Sequence, residues 1–94
     1  MAAVLQLPTA ARRRIYQTLV SQPGRHWTVR TLTEALAAHA TVKETAVRDT
    51  VNFLLSLNVV ALVPYQRAMT VSLTGPGERA LIVALRRARS QTGA

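Results

Sequence analysis

A chain of 94 residues, 49% of them apolar, can enclose one small core, and at this size burial alone stabilises only marginally. Twelve basic residues, eleven of them arginine, stand against four acids and leave a net charge of +8. Such a field draws polyanions, nucleic acid first and an anionic membrane surface second, with arginine-rich codon usage as the competing explanation. The absence of cysteine rules out disulfides and thiolate metal sites and fits a reducing cytoplasm.

No apolar run approaches the roughly 20 residues that span a bilayer. The N-terminus, MAAVLQLPTAARRR, puts its arginines after a short apolar run, the reverse of a secretory signal. A soluble, cytoplasmic protein is expected. Residues 1–9 read as a flexible lead-in, 10–90 as the folded domain and 91–94 as a disordered tail.

Thr9 caps a first helix over about 10–21, whose inward stripe is Ala11, Ile15 and Leu19 with Tyr16 and Val20. Arg12, Arg13 and Arg14 are consecutive, so they must fan across its other faces, their stems covering the edge of the core. Ser21, Gln22, Pro23 and Gly24 break the helix, and Arg25, His26 and Trp27 follow as a very short extended piece. Trp27 is assigned to the core and His26 to the surface. Thr28 caps a second helix over about 29–38, with Val29, Leu32, Ala35 and Leu36 inward.

The next stretch, TVKETAVRDTVNFLLSLN, reads as helix 41–58. Thr41 and Glu44 have the spacing of a capping box. At the helical period Ala46, Val47, Thr50, Phe53, Leu54 and Leu57 gather on one side, and Thr45, Arg48, Asp49, Asn52 and Ser56 on the other. Leu55 and Val51 flank the polar side. Two short helices joined by about four residues are the helix-turn-helix arrangement.

After Asn58 the period changes to two. Val60 and Leu62, then Met69, Val71 and Leu73, alternate within Val59–Val63 and Ala68–Leu73, with Pro64 to Arg67 as the hairpin loop. Thr74 caps a last helix over about 76–90, with Leu81, Ala84, Leu85 and Ala88 inward. Ile82 and Val83 lie off that stripe and suggest a second subunit.

Local sequence agrees with one family. TVRTLTEAL (28–36) resembles the second helix of winged helix-turn-helix domains of the bacterial-repressor type. AVRDTVNFLLSLNVVALV (46–63) resembles their recognition helix running into the first wing strand. VSLTGPGERAL (71–81) is similar to the "L-T-x-x-G-x-x-x-L" that closes the wing. The resemblance covers about residues 10–90. Asn58 stands where the family usually has glycine, and asparagine tolerates the same left-handed turn. The wing loop carries one arginine.

The fold implied is mostly α with a small β-hairpin: helix, short strand, helix, helix, two-stranded wing, C-terminal helix. The function implied is sequence-specific binding of double-stranded DNA by a small bacterial, phage or plasmid transcriptional regulator, with helix 41–58 in the major groove. By position Thr45, Arg48, Asp49 and Asn52 would read bases. Arg48 suits guanine O6 and N7, Asn52 suits adenine N6 and N7, and Asp49 accepts from cytosine or holds Arg48. Arg25, Thr28, Arg30, Lys43 and Arg67 would contact phosphates.

No cofactor enters this reading, and the partners are DNA and a second copy through Ile82 and Val83, within the nucleoid. No nucleophile–base spacing appears, Gly75 and Gly77 lack the residues of a phosphate loop, and two histidines make no metal site. Glu34 and Glu44 are explained by surface pairing and capping. The competing readings are a protein-interaction module using Val51 and Leu55 or Ile82 and Val83, and a DNA-binding piece of a conjugation or replication protein. Met1 fits a complete chain.

Overall fold

The computed structural model describes residues 8–37 and 42–92, with side chains through residue 89. In chain order these form α1 (Ala10–Ser21), β1 (His26–Thr28), α2 (Val29–Leu36), α3 (Glu44–Ser56), β2 (Val60–Leu62), β3 (Thr70–Leu73) and α4 (Gly75–Thr92). The domain is therefore mostly helical with a small antiparallel sheet. That sheet has three strands, ordered β1-β3-β2, so the short extended piece before α2 pairs with the hairpin.

Thr9 Oγ1 accepts from the Arg12 amide at 3.2 Å and caps α1. Ile15, Tyr16 and Leu19 are buried, while Ala11 and Val20 are half-buried. The three arginines diverge as their spacing requires. Arg12 lies 4.5 Å over the Phe53 ring, Arg13 faces α4, and Arg14 is exposed. The Arg12 stem and head thus cover the one half-buried aromatic of α3.

Tyr16 is almost wholly enclosed. Burial pushes its hydroxyl above the ordinary 10.0, and Arg12, through its charge and a hydrogen bond, pulls the other way. The unfolded chain therefore loses this proton first as pH rises. The contribution is fully present below about pH 10 and is lost as pH climbs through the folded-state value. Urea midpoints should fall as pH rises past about 10, and the Tyr16→Phe variant should show a shallower fall. An unchanged profile in that variant would assign the alkaline loss to another group.

Trp27 is buried at the middle of β1 and pairs with Val71 on the central strand. Thr28 then caps α2 reciprocally: Thr31 N donates to Thr28 Oγ1 at 3.0 Å, and Thr28 N donates to Thr31 Oγ1 at 2.9 Å. The helix is shorter than the 29–38 expected, closing at Leu36. Leu32 and Leu36 take its inward line, whereas Ala35, expected inward, is exposed.

Helix 41–58 needs correction at both ends: α3 covers Glu44–Ser56. Lys43 occupies the cap position with no side-chain cap, and Thr41 lies outside the described residues. Glu44 stands at the first position of α3 and pairs with Arg48. Val47, Thr50, Val51 and Leu54 are buried, and Thr45, Arg48, Asp49, Asn52 and Ser56 are exposed. Val51, expected beside the polar face, is a core residue, and Leu55 packs against the core. The stripe is wide because α1, α2 and β2 all pack on α3.

The exit from α3 is a Schellman motif. Asn58 has φ 58°, Val59 N donates to Leu54 O at 3.0 Å, and Asn58 N donates to Leu55 O at 3.1 Å. Buried Val59 and Leu54 provide the apolar contact that accompanies it.

The hairpin departs from strict alternation. Val59 and Val60 are both buried, and the loop runs over residues 63–69, longer than Pro64 to Arg67. Val60 pairs with Leu73 and Leu62 with Val71. The row Trp27–Val71–Leu62 lies on one face of the sheet. It runs from the core outward: Trp27 and Val71 are 1% exposed, but Leu62, on the edge strand, is 60% exposed. Met69, a member of the same alternating run, precedes β3 and is exposed.

Thr74 caps α4, accepting from Gly77 N at 2.9 Å. Its hydroxyl also stands 2.9 Å from Asn58 O and 3.0 Å from Val59 O, tying the start of α4 to the end of α3. Leu81, Ala84 and Ala88 are buried, Leu85 and Ile82 half-buried, and Val83 exposed. The helix runs on to Thr92, two residues beyond its expected end and into the segment read as a tail.

Candidate nucleic-acid interface

Three elements meet at a surface groove of about 480 Å³. The start of α2 supplies Thr28, Val29 and Arg30. The exposed side of α3 supplies Glu44, Arg48 and Asn52, one turn apart, and the hairpin supplies Ala68 and Met69. Four of the nine residues expected to meet nucleic acid are thereby brought together: Thr28, Arg30, Arg48 and Asn52. Thr45 and Asp49 are exposed on α3 beside this line but do not line the groove. Arg25, Lys43 and Arg67 lie outside it, each exposed.

Both cations of the groove are held by a glutamate one helical turn away, Arg30 by one after it and Arg48 by one before it. Arg48 Nη2 lies 3.1 Å from Glu44 Oε1, and Arg30 Nε lies 3.1 Å from Glu34 Oε1. The pairing of Arg30 with Glu34 follows the expected surface role of that acid. Arg48 is oriented by Glu44 rather than by Asp49, because a residue four positions away shares its helix face and a direct neighbour does not. All four side chains are more than half exposed, so each pair contributes little to stability and is easily exchanged for another anion.

The hydroxyl of Thr28 is engaged in the cap of α2, which fixes the direction of the backbone carrying Arg30. Arg25 is placed differently. Its guanidinium lies 4.1 Å over the Trp27 ring and its Nη1 donates to Gln22 Oε1 at 3.2 Å. Stacking on a core tryptophan gives this exposed cation a defined position. Lys43 sits at the cap of α3 and Arg67 in the hairpin loop.

Sequence reasoning missed Val29, Glu44, Ala68 and Met69 as groove residues. Glu44 is read as a capping residue and Met69 as part of a strand's alternation. The i, i+4 relation of Glu44 to Arg48 was the available signal for the first. Nothing in the sequence announces the second, since alternation cannot show where a hairpin leaves the helical layer.

Among the described residues no three His, Cys, Asp or Glu side chains are grouped as metal ligands would be, and no helix is long and apolar enough to cross a membrane. No protein-family model, curated protein or solved structure matches the chain.

Proposed function

We propose that this chain is a winged helix-turn-helix domain that binds double-stranded DNA sequence-specifically, as a small transcriptional regulator. The observation that carries the reading is the groove itself: α2, α3 and the hairpin bring Thr28, Arg30, Arg48 and Asn52 to one surface. The element order, the polar outer face of α3 and the net charge of +8 support it.

In this reading α3 enters the major groove. Arg48 leaves Glu44 for guanine O6 and N7, an exchange that an exposed ion pair permits at small cost. Asn52, one turn further, takes adenine N6 and N7, while Thr45 and Asp49 face the neighbouring base edges. Asp49 belongs inside the groove, accepting from cytosine, because at the rim it would repel phosphate. Arg30, Arg25, Lys43 and the hairpin's Arg67 hold the flanking phosphates and fix the register.

Fluorescence titration of a duplex across a series of salt concentrations tests this. With four cations on phosphates, log K should fall against log salt with a slope of about −3 to −4. A selection from a random duplex pool should return a preferred site. Binding that is salt-insensitive, or that returns no preferred site, would remove the reading.

A further inference from the structure

A second groove, of about 390 Å³, runs between α1 and α4 and shares no lining residue with the first. Arg13 and Gln17 stand one turn apart on α1. Ile82, Leu85, Arg86 and Arg89 follow on α4 at i, i+3, i+4 and i+7, so they form one stripe along that helix. Half-buried Ile82 and Leu85 make an apolar floor, and three guanidiniums make the rim.

The charge here is differently balanced from that of the α2–α3 groove. Arg30 and Arg48 each hold a glutamate, whereas Arg13 and Arg86 have no carboxylate partner among the described residues. Arg13 Nε is buried with no hydrogen-bond partner among those residues. Buried donors are nearly always satisfied, so this one marks a place where an acceptor is wanted.

We propose that the α1–α4 groove docks an acidic amphipathic helix of a partner protein, its carboxylates on Arg13 and Arg86 and its apolar side chains on Ile82 and Leu85. Ile82 to Arg89 spans two turns of α4, so a helix laid along the groove meets the apolar floor and the charged rim together. A phosphate backbone satisfies the rim but leaves the apolar floor uncovered. A second copy of the chain satisfies the floor but opposes the rim: α4 carries Glu78 as its only acid, against Arg79, Arg86, Arg87 and Arg89. The proposal is independent of the DNA reading, since the two grooves use different residues.

The test uses the full chain and three labelled peptides: an amphipathic helix of glutamate, alanine and leucine, a scramble of identical composition, and the same helix with lysine for glutamate. The first should bind, and its amide shift changes should map to Arg13, Gln17, Ile82, Leu85 and Arg86. The Arg13→Gln, Arg86→Gln double variant should weaken it about tenfold or more, and Arg48→Ala should leave it unchanged. Shift mapping on the unaltered chain keeps the test valid should the double variant fold poorly. Equal binding of the scramble, shifts mapping to another face, or α4 shifts that grow with protein concentration alone would overturn it. A duplex that competes for the same resonances would assign the groove to phosphate instead.

Discussion

The Gly77→Ala variant should lose about 3 kcal/mol of stability, at the upper end of what overpacking costs, and melt roughly 15 °C lower for a domain of this size. Gly77 is buried in the first turn of α4, where the helix crosses the exit of α3. A Cβ there would land on the Val59 carbonyl oxygen and stand 2.6 Å from both the Val59 carbonyl carbon and Thr74 Oγ1. Neither obstacle can yield cheaply. Val59 is fixed by its bond to Leu54 O in the Schellman turn, and its own carbonyl accepts from Thr74 N at 3.0 Å. Thr74 Oγ1 is the cap that receives the Gly77 amide. Moving α4 outward would break the cap, open the bridge to Asn58 O and Val59 O, and unpack Leu81 together.

Gly75 is the control. An added Cβ there meets nothing nearer than an Arg79 guanidinium nitrogen at 4.0 Å, so Gly75→Ala should change stability by less than about 0.5 kcal/mol. Urea denaturation of the two variants side by side gives the comparison. Equal stability would mean that α4 approaches α3 less closely than described.

The Thr-x-x-Gly spacing of residues 74–77 was therefore legible as a helix start, but its steric cause was not. Local devices read well because they are encoded within four residues: Thr9, Thr28 and Thr74 all cap as their positions indicated, and Asn58 adopts the left-handed turn. The polar line of α3 also read correctly, since a helical period separates two faces whatever the neighbours are. Neighbours decide the rest. Val51 is interior because three elements wrap α3, whereas Leu62, at the hairpin end of an edge strand whose other end, Val60, is buried, is exterior. Neither fact is in the local pattern. In the candidate site, Arg48 and Asn52 came from that period, whereas their approach to Arg30 and Met69 depends on how α2 and the hairpin are placed by β1 and β3.

Substituting Arg48 and Asn52 together by alanine should weaken binding to the selected duplex by about 2–6 kcal/mol, the sum of two bidentate base contacts at roughly 1–3 kcal/mol each. Both side chains are exposed, and Arg48's polar partner among the described residues is a solvent-facing glutamate, so the fold should be unaffected to within about 0.5 kcal/mol. Loss of affinity with an unchanged melting curve would isolate recognition from stability. Each single variant should relax one base position, Arg48→Ala at a guanine and Asn52→Ala at an adenine about one helical step away. Arg30→Ala gives the contrasting signature: weaker binding to every sequence alike and a salt slope shallower by about one.

Glu44→Gln separates this account from a purely electrostatic one. It frees Arg48 and removes a negative charge from the groove, so affinity should rise a few-fold at every sequence while the preferred site stays the same, an effect of the size of one exposed ion pair, about 0.5 kcal/mol. If Glu44→Gln instead changes the preferred base, Glu44 itself reads the duplex. If the double variant keeps the parent's affinity and preference, the polar face of α3 is not the reading face, and the charge of the domain serves some other polyanion.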